Sequence, residues 1–89
     1  MTVLAIHECR RCGGTLNAEH YAEERHPVYP QVIVNEYCEY CEMVWQSVYD
    51  VDADGTRHFD FTMAIDPRRK PVEFAKAVNH IHELLEVAA

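Results

Sequence analysis

Four cysteines are the residues of this chain whose types and spacing could do chemistry. They form two pairs with two residues between the members of each pair, in the segments HECRRCGGTL and YCEYCEMVW. A turn of this length aims both sulfurs at one point, and two such turns supply the four thiolates of a tetrahedral Zn²⁺ site. The pattern C-x2-C-x25-C-x2-C therefore predicts one metal site, with the ligands Cys9, Cys12, Cys38 and Cys41.

Other uses of paired cysteines stay open at this point. Disulfides and free thiols are alternatives, and rubredoxin-type iron also uses paired turns of this kind. A thioredoxin-like redox pair would need a surrounding βαβ pattern, and none is visible. His7 lies two residues before Cys9 and could replace a ligand, but with four cysteines available a role outside the ligand set is favoured.

The residue that follows each cysteine pair differs between the two turns. Gly13 has no Cβ, so it can adopt a positive φ and let backbone N–H groups approach the sulfurs, which suits a metal knuckle. Glu42 holds the corresponding position in the second turn, where that conformation costs energy. We therefore expect a less regular second knuckle, and this departure makes iron the minority interpretation.

The segments CRRCGGTL and CEYCEMVW resemble the two knuckles of the zinc ribbon family, and the resemblance covers about residues 7 to 65. It rests on the paired cysteines and on Gly13. Zinc ribbons serve transcription, translation, nuclease and adaptor roles. The resemblance therefore implies a structural Zn²⁺ more firmly than it implies any one of these biochemical functions. The setting that it implies is transcription or nucleic-acid-processing machinery.

Length and composition predict one small folded domain over residues 1–89. The chain has 89 residues and 48% hydrophobic residues, and a core of that size benefits from a metal staple. No apolar run could span a bilayer, and the amino-terminal segment MTVLAIHECRR lacks a basic region before its short apolar stretch. These features predict an intracellular, cytoplasmic protein, in which cysteines are more often ligands or free thiols than disulfides.

The net charge of −7 is concentrated in the middle of the chain, where residues 36–60 carry seven acids and one base. Four thiolates and one divalent ion would change the net charge from −7 to −9. So acidic a segment favours a partner protein with a basic surface over nucleic acid. The candidate partner-binding acids are Glu36, Glu39, Glu42, Asp50, Asp52, Asp54 and Asp60.

The elements that must position the cysteines follow from the apolar pattern. The segment NAEHYAEERHPVYPQ reads as a loop, with Tyr21, His26 and Tyr29 as possible contacts, and QVIVNEY reads as a strand. Residues 43–65 predict a β-hairpin around a turn with Gly55 in the left-handed position, and the predicted register pairs Tyr49 with Phe59 and Ser47 with Phe61. Continued regularly, its register puts one apolar row on one face, made of Trp45, Tyr49, Val51, Phe59, Phe61, Met63 and Ile65.

A carboxy-terminal helix is predicted over 71–88, beginning at Pro71. Its apolar stripe comprises Phe74, Ala77, Val78, Ile81, Leu84, Leu85 and Ala88. We expect this stripe to pack on the aromatic row of the hairpin, and the alternative is a homodimer through the stripe. The predicted fold class is α+β, a zinc ribbon with a small antiparallel sheet of about three strands and one helix packed on it. His80 and His82 point apart on the helix and predict no second metal site.

The sequence holds no nucleophile motif, phosphate-cradling loop or three-ligand metal site, so we expect no enzyme. The leading hypothesis is a non-catalytic zinc protein that acts as an adaptor, subunit or inhibitor of another protein. The first alternative is direct nucleic-acid binding, with Tyr37, Tyr40 or Trp45 as stacking surfaces. Its candidate bases are Arg10, Arg11, Arg68, Arg69 and Lys70. The second alternative is electron transfer through rubredoxin-like iron.

Overall fold

The computed structural model describes residues 7–88, so the expectation about the amino-terminal apolar stretch lies outside the described residues. A short 3-10 turn, Ala18–His20, precedes four strands and one helix. The strands are β1 (Tyr21–Arg25), β2 (Gln31–Cys38), β3 (Met43–Val51) and β4 (Arg57–Ile65), and the helix is α1 (Pro71–Ala88). No helix within 7–88 has the length and apolarity to cross a membrane.

The four strands form one antiparallel sheet in the order β1-β2-β3-β4. The fold is therefore α+β as predicted, with four strands in place of about three. The extra strand is β1, which the sequence analysis assigned to a loop. Its residues YAEER are mostly polar, which suits an edge strand, and Ala22 is the one buried residue among them.

A turn fixed by His26 joins β1 to β2. The Nδ1 atom of His26 accepts hydrogen bonds from the backbone N–H groups of Val28 and Tyr29, at 3.1 and 3.0 Å. The backbone N–H of His26 donates to the carbonyl of Gln31 at 2.9 Å and closes the turn. The imidazole thus stabilises the turn through local hydrogen bonds. His26, one of the predicted loop contacts, therefore has a structural role in this turn.

The β3–β4 hairpin agrees with its predicted register near the turn and departs from it further away. Gly55 has a φ of 91°, and Tyr49 pairs with Phe59 as predicted. A β-bulge then shifts the register, because Val48 pairs with Phe61 and leaves Asp60 unpaired. One extra residue moves every later side chain of β4 to the other face of the sheet.

The predicted single aromatic row is therefore wrong. Cross-strand neighbours share a face, so Phe61, Met63 and Ile65 lie on the helix side, whereas Phe59 lies with Tyr49 on the other side. Helix α1 does not pack on an aromatic row. It packs on Ala22, Val44 and Ile65, with Tyr37 at the margin.

The apolar stripe of α1 forms the main core of the molecule. Ala77 and Ile81 are buried against the sheet, with Phe74, Val78, Leu84 and Leu85 partly buried around them. The ring of Phe74 meets the edge of Tyr37 at a centroid distance of 5.8 Å. The expected packing of the stripe within the chain is therefore present, and the alternative of a homodimer through the stripe has no support from it.

A bidentate ion pair connects the two outer strands on the face away from the helix. The guanidinium of Arg57 on β4 donates to the carboxylate of Glu23 on β1 at 2.9 and 3.0 Å. Two strands lie between these residues, so the pair reaches across the face of the whole sheet.

Candidate metal centre

The first knuckle is a short loop held by its own backbone. Isolated bridge pairing joins Glu8 to Thr15, and the N–H of Cys9 donates to the carbonyl of Gly14 at 2.9 Å. Gly13 has a φ of 73°, the left-handed conformation predicted from its position. The N–H groups of Arg11 and Gly14 then point at the sulfurs of Cys9 and Cys12, each at 3.4 Å.

The second knuckle is the turn between β2 and β3. Cys38 is the last residue of β2, and the N–H of Cys41 donates to its Sγ at 3.4 Å. Glu42 has a φ of 50°, and among the described residues it is the single non-glycine residue with a positive φ. The expected backbone cost at this position is therefore present, and the turn adopts the knuckle geometry in spite of it.

The two knuckles bring the four sulfurs to one point. All four Sγ atoms lie within 4.8 Å of one another, with Cys9 to Cys41 and Cys12 to Cys38 both at 3.8 Å. A tetrahedron with Zn–S bonds of about 2.3 Å has sulfur–sulfur edges of about 3.8 Å. Two edges of the sulfur cluster therefore match a tetrahedral zinc site, and all four sulfurs are close enough together to hold one metal ion.

The cluster is protected on one side and open on the other. Cys9 and Cys38 are buried, Cys41 is half-buried and Cys12 is exposed. Leu16 is buried against Cys9 and Cys38, and Tyr21 packs at the edge of the same group. Leu16 was not predicted as part of the centre, and the available signal was its place as the apolar residue that ends the segment CRRCGGTL.

The protonation of the metal-free thiols is uneven. Burial raises the pKa of Cys9, but backbone N–H groups of Cys12 and Arg11 and neighbouring thiols outweigh burial and lower it to about 6. Burial raises the pKa of Cys38. Loss of solvent and the adjacent thiols raise the pKa of Cys41 to about 12. One thiolate thus forms readily, and a metal ion must displace protons from the others.

His7 is not part of the cysteine cluster. Its Nδ1 atom lies 3.0 Å from the carboxylate of Glu36, and its ring stacks on Tyr21 at 3.8 Å. Arg10 also reaches Glu36, at 3.4 Å. Glu36 is only 5% exposed and is held by these two partners, so it is not accessible as a partner-binding acid.

The remaining acids of the predicted partner-binding surface are exposed and lie in two groups. The knuckle acids are Glu39 and Glu42, beside the metal centre, and the hairpin-tip acids are Asp50, Asp52, Asp54 and Asp60. Strand β3 separates the groups, and its 9 residues span about 26 Å. Several of these acids have local partners, since Asp52 contacts His58 and Asp54 accepts the N–H of Thr56.

The structure brings two separate bases of the nucleic-acid alternative together. Arg11 of the first knuckle and Arg68 before α1 line one shallow cavity with Tyr40, Cys41 and Glu42. Arg68 also hydrogen-bonds Asp66 at 3.1 Å. Arg69 and Lys70 are exposed nearby in sequence.

Of the three predicted stacking rings, one is freely accessible. Tyr40 is 90% exposed. Tyr37 packs against α1, and Trp45 is half-buried with its indole N–H enclosed and unpartnered among the described residues. Stacking on a nucleic-acid base is therefore available at Tyr40.

Comparisons with known proteins identify no relative. No family model, no curated protein and no solved structure matches this chain. The centre is therefore defined by its own chemistry: four cysteine sulfurs within 4.8 Å of one another that could hold a metal ion.

Proposed function

We propose that the four cysteines bind one structural Zn²⁺. The observation that carries this proposal is the 3.8 Å spacing of Cys9 to Cys41 and of Cys12 to Cys38, which equals the edge of a zinc tetrathiolate. Four protein ligands leave no open position for substrate or water. A closed site of this kind contributes folding energy and is not suited to catalysis, so the proposed protein is not an enzyme.

Metal analysis of protein purified under reducing conditions tests this proposal. We expect one zinc per chain, a colourless solution and a lower thermal midpoint after chelation. Cys38→Ser should lose the zinc, whereas His7→Ala should keep it because His7 binds Glu36. A coloured protein with one iron would instead support the rubredoxin-like alternative.

We further propose that the zinc protein is a protein-binding adaptor, subunit or inhibitor. A net charge of −7, carried mainly by residues 36–60, supports a partner with a basic surface. The accessible acids are the knuckle and hairpin-tip groups, without the buried Glu36. Transcription or nucleic-acid-processing machinery is the proposed setting, through the resemblance of the knuckles to zinc ribbons.

Capture of partners from the native host, with and without charge neutralisation, tests the protein-binding role. Asp50→Asn with Asp60→Asn should release a protein that the wild type retains, and higher salt should do the same. Glu73→Gln, an exposed acid in the first turn of α1, is the matched control. Equal retention by all three proteins would argue against an acidic interface.

Direct nucleic-acid binding is the second candidate, because Arg11 and Arg68 meet beside the exposed ring of Tyr40. A mobility-shift assay at low salt tests it. Binding that weakens steeply with salt, and that is lost on neutralising Arg68, Arg69 and Lys70, would favour this candidate over the protein-binding role.

A further inference from the structure

Helix α1 covers only part of the sheet face on which it packs. The strand register places four more apolar residues on that face, outside the helix-packed cluster. Phe61 and Met63 remain 50% and 47% exposed. We call this group the apolar strip, made of Ile33, Val48, Phe61 and Met63.

The position of α1 along the strands accounts for the uncovered strip. Its core contacts reach both outer strands, at Ala22 on β1 and Ile65 on β4, and Val44 on β3 lies opposite Ile65. Val48 and Phe61 pair four positions further along the hairpin, about 13 Å towards its tip. One helix with its side chains is about 10 Å across, so this end of the face has room for one more helix.

Acidic residues border the apolar strip. Asp50 follows Val48 by two positions on β3 and shares its face, and Asp60 is exposed directly beside Phe61. The imidazole of His58, which pairs with Asp50 across the strands, is already bonded to Asp52. A helix with Lys or Arg beside its apolar stripe would complement this border.

Two other occupants fit less well. A second copy of this chain would bring the same acids and a net charge of −7 against the strip. An extended segment added to the free edge of β4 would meet the bulge at Asp60, where the regular ladder is interrupted.

We propose that the apolar strip is the docking site of a basic amphipathic helix from a partner protein. The apolar stripe of that helix packs on Val48, Phe61 and Met63, and its basic residues pair with Asp50 and Asp60. This inference rests on the proposed protein-binding role and narrows it to one surface and one class of partner.

A synthetic amphipathic peptide with a leucine stripe and flanking lysines is the probe. Titrated into the zinc-loaded protein, it should bind saturably and shift NMR signals of the apolar strip. Phe61→Ser should weaken binding about tenfold or more. Phe59→Ser, a ring 58% exposed on the opposite face, is the matched control and should leave the affinity unchanged.

A peptide of the same composition in scrambled order should not bind, which excludes simple charge attraction. Equal weakening by Phe61→Ser and Phe59→Ser, or signal shifts confined to the knuckles, would overturn the proposal. A concentration-dependent dimer that Phe61→Ser dissociates would assign the strip to a second copy and overturn it as well.

Capture from the native host separates this inference from the proposed function. A partner protein that wild type and Phe61→Ser retain equally would overturn the docking site and leave the protein-binding role standing. Retention of nucleic acid in place of protein would overturn the role itself.

Discussion

At the scale of single residues, the two knuckles reach the same backbone conformation at unequal cost. Gly13 and Glu42 both have a positive φ, at 73° and 50°. Only glycine reaches this region without a steric penalty from Cβ. The closure of the second turn around the sulfur of Cys38 holds Glu42 there, and some stability is lost at that position.

Replacing Glu42 by glycine should therefore raise the free energy of unfolding of the zinc-loaded protein by about 1 kcal/mol. Chemical denaturation of wild type and variant measures the change. Glu42→Ala is the control, since it removes the charge and keeps Cβ. A gain of equal size in both variants would attribute the effect to charge rather than to the backbone.

Residue chemistry was predictable from the sequence where it is local. Each cysteine pair and the residue that follows it, Gly13 or Glu42, lie within a few consecutive positions, and their backbone requirements follow from residue type. The burial of Glu36 depends on His7 and Arg10, which are 29 and 26 positions away. No local pattern distinguished this carboxylate from the exposed acids around it.

At the scale of elements, the helix and the hairpin turn were predictable and the bulge was not. The stripe of α1 repeats at helical spacing, so its buried face follows from periodicity. The bulge at Asp60 cannot be recognised in the segment FDFTM. Apolar and polar residues alternate there, and that pattern is the same whether the register is regular or shifted by one residue. Strand β1 was not predicted for a related reason. Its sequence is mostly polar and has one buried residue, Ala22, so no apolar alternation marks it as a strand.

The packing of α1 is tested by truncation of its most buried side chain. Ile81 is 1% exposed, so Ile81→Ala should lower the free energy of unfolding by about 2 to 5 kcal/mol. Val87 on the same helix is 87% exposed, and Val87→Ala should change stability by less than about 0.5 kcal/mol. Similar losses in both variants would contradict the packing described for α1.

The ion pair between the outer strands predicts a pH dependence. The hydrogen bonds from Arg57 lower the pKa of Glu23 below its ordinary value of 4.5. The pair therefore stabilises the fold above pH 4.5, and this contribution disappears as pH falls through the lowered pKa. Both side chains are about half exposed, which limits the contribution to about 1 kcal/mol.

Denaturation of wild type and Glu23→Gln in the same zinc excess checks this dependence. Wild type should be the more stable protein at pH 7, and the difference should shrink below pH 4.5. Glu19→Gln, an acid of the 3-10 turn, serves as the control. A difference that does not change with pH would show that packing, and not charge, is lost at Glu23.

At the scale of the whole molecule, metal binding, protonation and folding are linked. Cys38 has a raised pKa and Cys41 one of about 12, so both hold protons near pH 7 when the metal is absent. Binding of the proposed zinc ion would release at least these two protons, and lower pH would therefore favour the metal-free state. The apparent zinc affinity should rise by about two powers of ten or more per pH unit.

A competition titration with a chromophoric chelator between pH 6 and 8 measures this slope. The thermal midpoint of the zinc-loaded protein should fall as pH falls over the same range. A zinc affinity that does not change with pH would mean that the thiols are already ionised in the metal-free fold.

The order of the ligands along the chain has a consequence for biosynthesis. All four cysteines lie within residues 9–41, so a growing polypeptide has every ligand available before β4 and α1 have been made. Ion capture can then fix both knuckles and the β1–β2 pair while the remainder is still being translated. Strand β4 would then pair with a sheet that the metal ion already holds together. Helix α1 would pack on that sheet last and bury its apolar face.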